Sequence, residues 1–261
     1  MQINVPLLRQ FVRQDLVDRH ASTSLGMLWT FLLPLSQILI FTLIFSSIMG
    51  LRLESMGMEQ LGRFSYSVYL VTGLLAWLAF AATVNRCGGV YQEKASLITK
   101  VRLPLHTLPL YVPVTETVIY LIGMGFFALF LLAIGFSWSI TWLWWPVVFA
   151  VLMLLAYGIG LAVAVLSVFL RDLREVVGIV LQIGFWLTPI VYVKDMVPAE
   201  WHWLYAINPI YHLIEALRSS MILGQMPSLM PLASIAVVAA LLVVVATWAG
   251  RRLERDIRDF I

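Results

Sequence analysis

Apolar residues in this chain come in long blocks separated by short polar connections. A bilayer core about 30 Å thick takes roughly 20 apolar residues per crossing helix, and most of the blocks reach that length. Uncharged blocks cover about 25–49 and 65–85, and a third, about 107–136, holds one ionisable residue, Glu116. The block at about 139–170 is charge-free and longer than the core requires, which predicts tilt or extension past it. A short block at 176–193 and a last one at 229–250 bring the prediction to six transmembrane helices. The ten-residue alternation of a membrane β-barrel is absent, so the expected class is an all-α integral membrane protein with a single transmembrane domain over 1–261.

The connections carry patterns of their own. In residues 1–24, Leu8, Val12 and Leu16 form one stripe with Arg9 and Arg13 off it, which predicts an amphipathic helix along the membrane surface. The polar stretch before the first block and the length of that block argue against a cleavable signal peptide. Residues 91–106 predict a short polar helix ended by Pro104. Between 194 and 228, Asn208 is a good N-cap and Pro209 a good first helical residue. Ile210, Leu213, Ile214, Leu217 and Met221 then repeat at helical spacing, while His212, Glu215 and Arg218 occupy other faces. That helix is too polar to span, so it should lie on or dip into the outer face, with Trp201, Trp203 and Tyr205 anchoring its approach.

Composition agrees. The 261 residues are 61% hydrophobic and only 12% charged, where a soluble domain carries about 25% charge. Too little charge remains to cover a water-facing surface, which excludes a soluble enzyme and a disordered chain. A single cysteine, Cys87, excludes an internal disulfide and a multi-cysteine metal site. The net charge of +3 would be compatible with nucleic acid, but the placement of the basic residues points to membrane lipid instead. Alternate connections hold thirteen Lys and Arg on one side and four on the other, which predicts both termini in the cytoplasm.

Catalytic patterns are missing. The sequence has no Gly-x-x-x-x-Gly-Lys-Ser/Thr phosphate loop, no His-Glu-x-x-His and no Gly-x-Ser-x-Gly. No cofactor or metal is therefore expected in this chain. Glu116 is the one acid well inside a span, and it follows Pro109 and Pro113. Antiparallel packing of the second and third spans could bring it to Arg86, either as a structural pair or as part of a transport path. Ala156, Gly160 and Ala164 recur at four-residue spacing and predict close helix contact. Trp138, Trp142, Trp144 and Trp145 read as an interfacial aromatic belt.

Arg19, the run Ser24-Leu25-Gly26 with Trp29, and Pro34 together resemble the start of the first span in ABC-2 type permeases. Within that family the likeness is to exporters of O-antigen, capsule and teichoic acid. The stretch Leu70-Val-Thr-Gly-Leu-Leu-Ala-Trp with Asn85, and the run from Asn208 through Tyr211 to Arg218, fit the same family. The resemblance implies a half-transporter in the bacterial inner membrane: two copies of this chain with two ATP-binding cassette subunits, which hold the ATP and Mg. It implies that residues 91–102, with Glu93, Lys94, Lys100 and Arg102, dock on the ATPase, and that Arg9, Arg13 and Arg19 belong to the interface helix. It further implies that 194–225, with Asn208, Tyr211 and Arg218, closes the outer mouth. Arg86 and Glu116 would lie on the path of a polyprenyl-diphosphate-linked glycan. A drug or lipid exporter on the same fold is the alternative, and a membrane enzyme of lipid-linked sugars a further one.

Overall fold

The computed structural model describes residues 5–19, 21, 23–48, 59–100, 104–170 and 172–260. Eleven α-helices, joined by short 3-10 turns, account for most of them, and no strand occurs among the described residues. In chain order they are α1 (Val5–Asp18), α2 (Trp29–Thr42), α3 (Ser65–Glu93), α4 (Ala95–Lys100), α5 (Tyr111–Ala133) and α6 (Trp145–Ser167). There follow α7 (Leu173–Leu187), α8 (Trp203–Ile207), α9 (Pro209–Met221), α10 (Leu229–Arg252) and α11 (Glu254–Phe260).

Five helical stretches among the described residues are long and apolar enough to cross a membrane: Gly26–Phe45, Leu61–Glu93, Leu105–Ala133, Ile140–Ser167 and Leu229–Arg252. The block at 176–193 does not form one such helix. Its helical part is α7, and the chain leaves helical geometry at Thr188, with φ −100° and ψ 128°. Pro189 is the physical reason, because a proline ring pushes the residue before it out of the helical region. Residues 91–93 likewise belong to the end of α3; only Ala95–Lys100 forms the separate short helix, and residues 101–103 lie outside the described residues.

Burial sorts the bundle into an inner pair and an outer ring. The apolar window of α3 is 83% buried and that of α6 is 67% buried, against 17% for α2 and 22% for α10. Leucines and valines on the outer faces of α2, α7 and α10 are exposed, as lipid-facing or subunit-facing residues would be. Close approach of α3 to α6 depends on Gly160, where an added Cβ would come within 2.6 Å of the Cys87 Cβ. Gly158, one face round, sits against Leu242 and the Ala239 carbonyl of α10. Gly160→Ala is accordingly expected to destabilise the bundle by about 1–3 kcal/mol. Gly178→Ala, where nothing lies within 4 Å, should be neutral. Thermal unfolding of the two variants in detergent checks the contrast.

Two apolar clusters give the bundle distinct ends. One packs Ile98 of α4 and Ile257 of α11 with Leu8, Phe11 and Val12 of α1, so these three short helices share one end, called proximal here. The larger cluster runs through the middle to α9 at the distal end, where Leu213, Ile214 and Leu217 are buried.

Candidate functional site

At the proximal end, a four-member charge network joins α1, α3 and α5. Glu116 is 3% exposed on α5, and its carboxylate accepts hydrogen bonds from both Arg19 and Arg86. The Arg86 Nη1 lies 2.5 Å from Glu116 Oε1, and Nη2 donates to Asp15 on α1. Two guanidinium groups and two carboxylates therefore neutralise one another. The second Asp15 oxygen is buried and has no partner among the described residues. Arg19 follows directly after α1, so it belongs to this network, whereas Arg9 and Arg13 are exposed on the opposite side of α1. Phe11 stacks on Tyr111 at 5.8 Å and presses α1 onto α5 beside the charges.

Next to the network lies a cavity of about 200 Å³ between α2, α3 and α5. Arg19 and Glu116 close its proximal end, and Thr30, Pro34, Gln37, Leu78 and Tyr120 line its sides.

The distal end is organised by Arg218. This side chain is 1% exposed, and its guanidinium stacks over the Tyr69 ring at 3.5 Å. Its Nη1 donates to the Tyr69 hydroxyl at 2.7 Å and to the Pro189 carbonyl at 2.8 Å, and its Nη2 to the Ile190 carbonyl at 3.1 Å. Burial lowers its affinity for a proton, against which Tyr69 and Glu215 pull upward, and a guanidinium remains charged throughout. Gly73 makes room for it: a Cβ there would sit 2.7 Å from Arg218 Nη2. The carbonyls of Pro189 and Ile190 are free to accept because Pro189 has broken the helix. Asn208 ties the same break to the other end of α9. Its Oδ1 accepts from the backbone N–H of Ile210 and Tyr211, and its Nδ2 donates to Thr188 Oγ1 at 2.9 Å. Tyr211 is half-buried, 5.3 Å from the Tyr205 ring. The far end of α9 is capped from α6's approach, where Thr141 Oγ1 donates to the Ser220 carbonyl and Trp142 Nε1 to the Met221 carbonyl, each at 2.7 Å. Trp142 thus has a packing partner beyond the aromatic belt, while Trp201 and Trp203 are exposed.

The polar residues expected around α4 are spread over two helices. Glu93, at the end of α3, meets Arg174 of α7 at 3.4 Å; Lys94 is half-buried in the one-residue break; and Lys100 is exposed. Arg102 lies outside the described residues. Arg258 of α11, which the sequence pattern did not single out, donates to the Ile98 carbonyl of α4 at 3.0 Å and pairs with Glu254 at 3.1 Å. Asp15, Tyr69 and Arg174 also went unmarked. Their only sequence signal is being polar or aromatic at helix ends facing a bundle. Among the described residues, no group of three or more His, Cys, Asp or Glu side chains is placed to hold a metal.

The chain matches the profile of a family described as ABC-2 type transporter over residues 6–222. It is 28% identical over 213 residues, 81% of this chain and 78% of the relative, to an O-antigen export system permease protein RfbA of Klebsiella pneumoniae. Similarity to an RfbA of Myxococcus xanthus is 27% over 259 residues, 97% of this chain and 93% of the relative. The polysialic acid transport protein KpsM of Escherichia coli is 25% identical over 214 residues, covering 81% of this chain and 79% of that protein.

Proposed function

Because the chain belongs to the ABC-2 type transporter family, we propose that it is the permease subunit of an exporter carrying a lipid-linked polysaccharide outward across the bacterial cytoplasmic membrane. The observation that carries this reading is the nearly end-to-end similarity to an O-antigen export permease of Myxococcus xanthus. Two copies of this chain would form the membrane part, and two separate ATP-binding cassette subunits would supply ATP and Mg. The absence of a phosphate loop from the sequence fits that division of labour.

Six crossings with both termini in the cytoplasm remain the proposed topology, and the packing supports it despite the short α7. Arg174 bonds Gln92 and Glu93 near the end of α3, while Tyr66 near the start of α3 donates to the Val191 carbonyl. Residues 174–191 therefore run alongside α3 for about 39 Å, more than the roughly 30 Å of a bilayer core. The helical part of α7 spans only about 22 Å, and the turn and bend that follow Thr188, together with the long side chains of Arg174 and Tyr66, cover the rest. Such non-helical backbone is tolerated at membrane depth where it is buried in protein, as Ile190 is here.

In this reading the proximal end faces the cytoplasm and α4 is the ATPase-docking helix, held from below by Arg258 and Ile257 of α11. The network around Glu116 lies at the cytoplasmic mouth, and α9 covers the outer one. Reversing charge together at Glu93, Lys94, Lys100 and Arg102 is expected to abolish co-purification of the ATPase subunit, or its transport-coupled hydrolysis, while membrane insertion of the permease persists. Unchanged co-purification and unchanged export would contradict α4 as the docking helix.

A further inference from the structure

A second cavity, of about 360 Å³, lies between α3 and α7 and is lined by Asn85 and Gln182 along with apolar side chains. Leu78 and Ala82 of α3 line both this cavity and the one beside Glu116, so the two are adjoining stretches of a single cleft round one face of α3. Three carboxamides open onto it: Gln37 from α2, Asn85 from α3 and Gln182 from α7. Asn85 and Gln182 are exposed in the single chain, and Gln37 is partly so. A carboxamide held against hydrocarbon leaves its donors and acceptors unmet, which is costly within a bilayer core. The outer face of α10, by contrast, carries no carboxamide and presents mainly apolar side chains such as Val238 and Leu241.

A fourth polar group points the same way. Thr30 is 5% exposed, its hydroxyl has no partner among the described residues, and it lines the cleft. Pro34, one turn on, has no N–H to donate to the Thr30 carbonyl. The cleft thus offers amide donors and acceptors together with an unused hydroxyl, and its charged groups at the proximal end are already neutralised among themselves. That chemistry suits a neutral, hydroxyl-rich ligand better than an anion.

We infer that the cleft is a saccharide-contacting wall, in which Gln37, Asn85 and Gln182 exchange hydrogen bonds with the hydroxyls of the passing glycan. The inference rests on the export reading and adds to it the residues that meet the sugar. Truncation of two carboxamides, Asn85→Leu with Gln182→Leu, is expected to slow export by about tenfold or more, since each amide–hydroxyl bond carries a factor of several. Abundance of the permease should stay near the parent level, because neither side chain is buried in the single chain.

The deciding experiment uses full-length permease with its ATPase subunit in membrane vesicles, in a Cys87→Ala background, with a charged water-soluble thiol reagent. Cysteines placed singly at Gln37, Asn85 and Gln182 should react at least about tenfold faster than cysteines at Val238 and Leu241, because a thiol in apolar surroundings stays protonated and inert. Labelling should slow several-fold in vesicles from cells that have accumulated the lipid-linked glycan. Rates equal to the α10 positions mean that lipid or the second copy covers the cleft, and they overturn the inference. Fast labelling indifferent to glycan overturns it as well, leaving a wet cleft that does not touch sugar. Export assayed in the same cells separates the two levels: if the unmodified chain exports no glycan, the functional reading fails, whereas intact export with unlabelled positions sinks the saccharide wall alone.

Discussion

Arg218→Met is expected to leave little folded permease in the membrane, a loss of about 3–5 kcal/mol from buried carbonyls that lose their donor. Methionine matches the length and volume of the arginine stem, so the effect isolates the guanidinium. Its removal leaves the Ile190 carbonyl without its donor and the Pro189 carbonyl with only the 3.4 Å reach of the Tyr69 hydroxyl, at a site 1% exposed. A buried polar group left without a partner costs about 1–3 kcal/mol, and two carbonyls lose the guanidinium together. The Tyr69 hydroxyl is a weaker, 3.4 Å substitute, and it has one proton to share between the Pro189 and Tyr192 carbonyls. Arg218→Lys should recover only part of the loss, because one ammonium cannot serve three acceptors and stack on Tyr69 at once. Membrane abundance and the unfolding midpoint in detergent, measured for both variants, check the ranking. Wild-type values for Arg218→Met would mean that the clamp between α3, the broken end of α7 and α9 contributes nothing.

Glu116→Gln is the second large effect. It leaves Arg19 and Arg86 facing a neutral amide, with only Asp15 to balance two positive charges. Breaking a buried pair on one side costs about 3–5 kcal/mol, and the estimate here belongs at the lower end because both arginines are partly exposed. Arg86→Gln should be milder in abundance, since Arg19 still answers Glu116. Exchanging the charges, Arg86→Glu with Glu116→Arg, should restore little: the new glutamate would face Asp15, and the new arginine would face Arg19. Had Arg86 and Glu116 formed an isolated pair, the exchange would restore much of the loss. Permease level and surface glycan measured together also separate structure from transport. A loss of export with full abundance in Arg86→Gln would show Arg86 meeting the carrier phosphate instead of serving only the network.

The hydrophobic blocks are legible because a span needs only length and composition, and five of them form helices long and apolar enough to cross a membrane. Asn208 was legible as a cap for the same local reason: its side chain bonds its own helix. Local reasoning failed where a partner comes from far along the chain. The Arg86–Glu116 contact followed from antiparallel packing of neighbouring spans, but Asp15 and Arg19 come from a surface helix whose docking no periodicity specifies. The same holds for Arg218, which reads as a polar face of an amphipathic helix and is instead wholly buried, because its acceptors lie at a proline break 28 residues away. Gly73 carries the complementary signal, a glycine inside a long apolar helix, intelligible only once the guanidinium is known to press against it. The apolar block runs on to Val193, whereas α7 stops at Leu187, because Thr188-Pro189 adds apolar length while its backbone preference stops a helix.

In the proposed exporter this chain conducts a lipid-linked polysaccharide while another chain hydrolyses ATP. The most direct measurement reconstitutes the permease with and without its ATP-binding subunit in sealed vesicles charged with the lipid-linked glycan, and follows glycan crossing the bilayer. Crossing that requires both subunits and ATP, with no hydrolysis by the permease alone, is the predicted result. Glycan that stays on its original side with both subunits and ATP present, or ATP hydrolysis by the permease freed of every other protein, would contradict it.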